Sequence, residues 1–237
     1  MDHPWELEAE NWVRWARAPG HDAYWDYAPI FFEVVPAAGR RTLELGCGEG
    51  RVVRDLTTRG HRVVGLDSSP TLLGYAREAD PPGRYVLADA ARAPFADDAF
   101  DLVVAYNSLM DIEHMEAAVR EAARVLETGW RLCVCVTHPV NDAGAFASRE
   151  PDAAFVIAES YLGKRPFEGT FEHDGLEITF RGWVYPLEAY GRALEDAGFV
   201  IEAMREPPAT AAAVAREPSE RRWQRLPMFL FLRAVKR

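Results

Sequence analysis

The chain has 237 residues, 49% of them hydrophobic and 27% charged, which suits one compact domain with a sizeable core. Asp and Glu number 37 against 27 Lys and Arg, a formal net charge of −10 that weighs against a surface built to neutralise nucleic-acid phosphates or anionic lipid. No apolar run reaches the roughly 20 residues of a membrane-spanning helix and the start is acidic, so a cytoplasmic protein without nucleic-acid or membrane partners is expected.

Residues 5–34 are rich in aromatics and predict two short helices split at Pro19-Gly20. From Arg41 onward, short apolar runs alternate with helical stretches. Strands are predicted at 42–46, 62–67, 84–88, 100–106 and 130–137, and helices at 50–59, 69–79 and 113–127. That rhythm implies a parallel sheet covered on both faces, a doubly wound α/β domain. After Pro139 the rhythm breaks, and Phe167–Phe180 reads as a hairpin turning at His173-Asp174-Gly175, where His173 is expected at the surface. A helix at 186–197, a strand at 199–205, an exposed connection at 206–222 and a last strand at 227–235 complete the chain. Cys47, Cys133 and Cys135 are too few for a disulfide framework or a four-thiolate metal site, and are expected in the interior.

The informative segment is Thr42-Leu-Glu-Leu-Gly-Cys-Gly-Glu-Gly-Arg51, a strand running into Gly46, Gly48 and Gly50 just before a helix. Such glycines let the backbone turn tightly and approach a ligand, and the helix N-terminus offers free N–H groups. The dinucleotide pattern G-x-G-x-x-G fails, because Arg51 stands where its third glycine belongs. The next strand ends in Asp67, placed where a ribose can offer both hydroxyls, and the third ends in Asp89-Ala90.

In this combination the stretch from Leu43 to His138 resembles the class I S-adenosylmethionine-dependent methyltransferases, and within them the small-molecule branch called methyltransferase type 11. The resemblance implies a Rossmann-like, seven-stranded, mostly parallel sheet. It implies S-adenosylmethionine as cofactor, with Glu44, Gly46, Cys47, Gly48 and Gly50 around the methionine part and Asp67 on the ribose. Ser68 and the Asp89-Ala90 pair would lie at the adenine, and the Asn107 backbone near the methionine amino group. Tyr24 and Tyr27 fall where relatives place an aromatic over the cofactor. Ala99-Phe100-Asp101 matches a further family phrase, and Glu127-Thr128-Gly129 departs from the usual Pro-Gly-Gly turn.

On that reading residues 1–38 are a helical cap, 39–138 the cofactor core, 139–185 a lid, acceptor pocket or dimer contact, and 186–237 the closing helix and strands of a single domain. Methyl transfer needs the acceptor aligned and water excluded, and an oxygen acceptor also needs a base. Candidates are His138 after the fifth strand, Tyr106 and Asp111 after the fourth, and His114 at the next helix; Asp111 reads equally as a helix N-cap. No metal is implied. The expected activity is in-line methylation of an O or N atom of a small organic acceptor, with aromatic compounds and natural products as the candidate classes, by a monomer or homodimer. The competing readings are a non-catalytic cofactor-binding sensor or scaffold and a protein or RNA methyltransferase.

Overall fold

A strand covered on both faces is mostly apolar, and the central segments are so apart from Thr42, Glu44 and Asp101. In the computed structural model, which describes residues 4–158 and 160–237, Phe100–Tyr106 is buried throughout. Three helices come first: α1 (Pro4–Leu7), α2 (Ala9–Arg17) and α3 (Tyr24–Val34). The break after α2 lies at the expected Pro19-Gly20, with Gly20 at φ +69°, and α1 is an additional turn. The core then runs β1 (Thr42–Leu45), α4 (Arg51–Thr58), β2 (Val63–Asp67), α5 (Pro70–Ala79), β3 (Arg84–Leu87), β4 (Phe100–Tyr106), α6 (Met115–Val125) and β5 (Leu126–Thr137).

The excursion after β5 holds two antiparallel pairs, β6 (Gly144–Phe146) with β7 (Phe155–Ile157) and β8 (Arg165–His173) with β9 (Leu176–Val184). Asp174 and Gly175 turn the second pair at φ +48° and +74°, the left-handed geometry a primed hairpin turn requires. The chain closes with α7 (Leu187–Asp196), β10 (Phe199–Arg205), α8 (Ala211–Arg216), a 3-10 stretch at Pro218–Gln224 and β11 (Phe229–Lys236).

The seven-stranded sheet has the order β3-β2-β1-β4-β5-β11-β10, and only β11 runs against its neighbours. Its side chains alternate between two cores. Leu43, Leu45, Val103 and Ala105 pack under α6 and α7, whereas Val104, Tyr106, Cys133 and Cys135 pack under α3 and α4. All three cysteines are free and buried, as expected. Phe31 of α3, fully buried between Tyr106 and Phe231, contributes about 2–3 kcal/mol by leaving water. Asp101 braces the entrance to β1, its buried carboxylate accepting the backbone N–H groups of Arg40 and Arg41. The strand order reverses between β1 and β4, and open α/β sheets bind ligands outside the carboxyl ends of the strands at such a point. Among the described residues, no helix is long and apolar enough to cross a membrane.

Candidate active site

The loop after β1 is a sharp reversal into α4, with Gly46, Gly48 and Gly50 at φ +71°, +54° and +84°. Gly46 is sterically obligatory, since an added Cβ would lie 2.4 Å from the Ser108 Cβ. The Ser108 hydroxyl in turn donates to the Leu45 carbonyl at 2.7 Å, which locks the ends of β1 and β4 together. From β2, the Asp67 carboxylate accepts from the Gly48 amide and the Ser69 amide, each at 2.8 Å. Cys47 is buried behind this loop, and Ser68 lies half-exposed beside Asp67. At the end of β3, Asp89 is exposed and accepts from the Ala91 amide at 2.8 Å, while Ala90 is buried. Asn107, at the end of β4, adopts a left-handed backbone with φ +50°, and its side-chain oxygen accepts from the Cys135 thiol.

Glu44 lies at the base of the loop. Its side chain is buried and its Oε2 has no hydrogen-bond partner among the described residues. Burial pushes its carboxyl well above the usual range, the charges of Asp67 and Glu49 add to the effect, and Arg51 and Arg54 oppose it.

The N-terminal helices lie on this loop. A Cβ at Gly48 would meet only Trp12 Nε1, at 3.4 Å. Glu6 accepts from both the Ser69 and the Thr71 hydroxyls at the start of α5. Arg17 pairs with the buried Glu49 at 3.0 Å, and Arg51 with Asp22 at 2.7 Å. Trp5, Trp12 and Trp15 each pack edge-on against Phe180 of the hairpin, and Arg181 pairs with Glu8 at 3.2 Å.

Between α1, the Leu109–Asp111 turn and the hairpin a cleft of about 390 Å³ opens, lined by Pro4, Asp111, Pro166, Phe167, Trp183 and Arg181 among others. Asp111 closes a one-turn 3-10 helix, Leu109–Asp111, and accepts a hydrogen bond from the Trp5 side chain. Burial holds its carboxyl well above the ordinary value of 3.8; the Trp5 bond pulls it down, and the charges of Asp67 and Asp142 raise it further. Asp142, on the turn after β5, was not singled out in the sequence. Burial pushes it up to about 7, with Arg165 opposing. Its only sequence signal was its place just past a strand end.

The remaining candidates are corrected. His138 is buried, its Nε2 2.9 Å from Glu206 Oε1 and its Nδ1 accepting from the Val140 amide at 3.1 Å. With both nitrogens engaged, it ties the β5 end to the segment after β10 and offers no free lone pair as a base. Tyr106 is buried beneath Tyr24 and Phe31, on the sheet face away from the cleft. His114 is exposed at the start of α6. Asp111 is not the cap of α6, because that position belongs to His114. Tyr24 donates to Asp55 at 2.6 Å under the Arg51 guanidinium, and Tyr27 packs on Phe229; both join α3 to the core.

A family model described as a methyltransferase domain matches residues 43–134. A demethylmenaquinone methyltransferase of Mycobacterium tuberculosis is 35% identical over 182 residues, 69% of this chain and 74% of that protein. The chain belongs to the class I S-adenosylmethionine-dependent methyltransferases. The solved structure of such an enzyme from Mesorhizobium loti superposes with a TM-score of 0.73 at 26% identity, covering 91% of this chain and 98% of that one. One described as putative, from Listeria monocytogenes, shares the fold with a TM-score of 0.72 at 20% identity, covering 90% of this chain and 97% of that one.

The methyltransferase's own residues fit this cofactor, which carries a sulfonium, an ammonium and two ribose hydroxyls. Glu44 is a buried carboxyl whose Oε2 has no hydrogen-bond partner among the described residues, and the Asp67 carboxylate lies near enough for its charge to raise the Glu44 carboxyl further. A cation placed there relieves a desolvation cost that the folded chain otherwise bears.

Proposed function

We propose that this methyltransferase methylates an oxygen or nitrogen atom of a small, flat, largely apolar acceptor held between the Leu109–Asp111 turn and the β8–β9 hairpin. When bound, S-adenosylmethionine supplies an electrophilic methyl group on a sulfonium centre. Its holders on this reading are the backbone of Gly46, Cys47, Gly48 and Gly50, with Glu44 facing the ammonium. Asp67 and Ser68 take the ribose side, Asp89 and Ala90 the base, and the Asn107 backbone the methionine end.

The observation that carries the acceptor assignment is Asp111, a half-buried carboxyl lining a cleft that Phe167 and Trp183 also line. An attacking hydroxyl or amine sheds a proton, and a carboxyl whose proton affinity burial has raised is a better base than one in water. Phe167 and Trp183 offer ring faces and Pro4 and Pro166 apolar edges, suited to a planar acceptor. The N-terminal helices and the hairpin then form a lid over both ligands, since their rings meet at Phe180. The mycobacterial relatives are named for demethylmenaquinone, a quinone, which supports a ring-shaped acceptor.

The test is S-adenosylhomocysteine release with a panel of hydroquinones, phenols and arylamines, for the wild type and Asp111→Asn. Turnover with one class, reduced about 100-fold or more in the variant, is expected. Turnover that Asp111→Asn leaves unchanged overturns the assignment of the base.

A further inference from the structure

The hairpin tip meets the loop between α2 and α3 through two imidazoles and a carboxylate. His21 and His173 stack with centroids 4.5 Å apart, and Asp174 follows His173 directly. One ligand atom from each of the three residues lies within 4.8 Å of the other two. We infer that His21, His173 and Asp174 bind a divalent transition-metal ion, which ties the hairpin tip to the N-terminal helices.

Three observations besides proximity carry this. His21 is 8% exposed, and its Nε2 is buried with no hydrogen-bond partner among the described residues, a costly state for a ring nitrogen that a metal would relieve. His173 Nδ1 lies 3.0 Å from the His21 carbonyl, so the Nδ1–H donates there and the Nε2 lone pair is left for a ligand. Metal-bound histidines usually hold their second nitrogen in this way. Trp15 packs edge-on against the His21 ring at 4.4 Å and fixes its orientation.

Two imidazoles and one carboxylate suit Zn²⁺, Co²⁺ or Ni²⁺, with water completing a tetrahedral site. Ligand bonds of about 2.0–2.1 Å place neighbouring donor atoms roughly 3.3 Å apart. From 4.8 Å this asks about 1.5 Å of closure at most, taken up by an exposed turn. An occupied site holds the hairpin against α2, the helix whose Trp12 lies on Gly48, so the metal would stiffen the cover over the cofactor loop. None of the three residues belongs to the machinery proposed for methyl transfer, and the inference stands apart from that reading.

The experiment is titration of the full-length protein with Co²⁺, followed by visible absorbance, and with Zn²⁺ by calorimetry. One ion per chain is expected, with the intense bands of tetrahedral Co²⁺. His173→Ala, at the half-exposed tip, should weaken binding at least 30-fold with an unchanged circular dichroism spectrum, while His114→Ala should leave it intact. Weak binding without stoichiometry, or binding that His173→Ala does not alter, is that of an adventitious ion only and overturns the inference. His21→Gln adds a check under the same readout. If it unfolds the chain, the His173→Ala result alone decides.

Discussion

The Gly48 amide donates to the Asp67 carboxylate at 2.8 Å, so the glycine loop after β1 and the end of β2 form one unit. A second amide, that of Ser69, engages the other oxygen. The acidic strand end therefore shapes the loop, in addition to the ribose contact proposed for it. Asp67→Ala removes both roles and should weaken S-adenosylhomocysteine binding by about 2 kcal/mol or more, roughly 30-fold. Calorimetric titration of the two proteins checks it, and equal affinities would remove Asp67 from the site.

The proton affinity of Asp111 sets an expectation for pH dependence. Its carboxyl is held above the ordinary value of 3.8, and it acts as a base only when ionised. The acidic limb of kcat/KM should therefore lie above the usual carboxylate range, with activity rising as pH rises through it. In Asp111→Asn the residual rate should lose that limb. A profile with the same limb in both proteins would assign the titration to another group.

Asp142 leads to a stability prediction. Its pKa rises on folding from 3.8 to about 7, so the folded state holds the proton more tightly. The cost of burying its charge is absent below the unfolded value, grows between pH 4 and 7, and is complete above pH 7. Three pH units correspond to about 4 kcal/mol. Asp142→Asn keeps the size and loses the charge, so it should raise stability at pH 8 by a few kcal/mol and change little at pH 4. Urea unfolding at the two pH values measures this, and a variant no more stable at pH 8 than the wild type would contradict it.

The glycine loop and its acidic strand-end partner were legible because their signals are local. A strand, three glycines and an acid at the next strand end are adjacent in the chain, and they are adjacent in space. Strand bounds were close for the same reason, except that β5 begins at Leu126 and not at 130, because pairing resumes directly after α6 while Gly129 takes a left-handed turn at φ +83°. The acceptor half depends on partners distant in sequence. Asp111 and His138 both follow strand ends, and nothing nearby in sequence distinguishes them; their partners, Trp5 for one and Glu206 for the other, come from distant segments. Tyr24 and Tyr27 show the same limit. Helical periodicity puts them on one face with Ala28 and Phe31, but not which surface that face meets.

His138 is where the two halves can be separated by experiment. Its imidazole donates to Glu206 and accepts from the Val140 amide within a buried corner, so its loss removes two hydrogen bonds and leaves that amide unpaired. His138→Ala should lower stability by about 1–3 kcal/mol. Because neither bond faces the cleft, cofactor affinity and turnover below the melting range should stay within about twofold of the wild type. Chemical unfolding and S-adenosylhomocysteine release on the same samples distinguish the roles. A base would show a large rate loss at unchanged stability, whereas the corner described here shows the reverse.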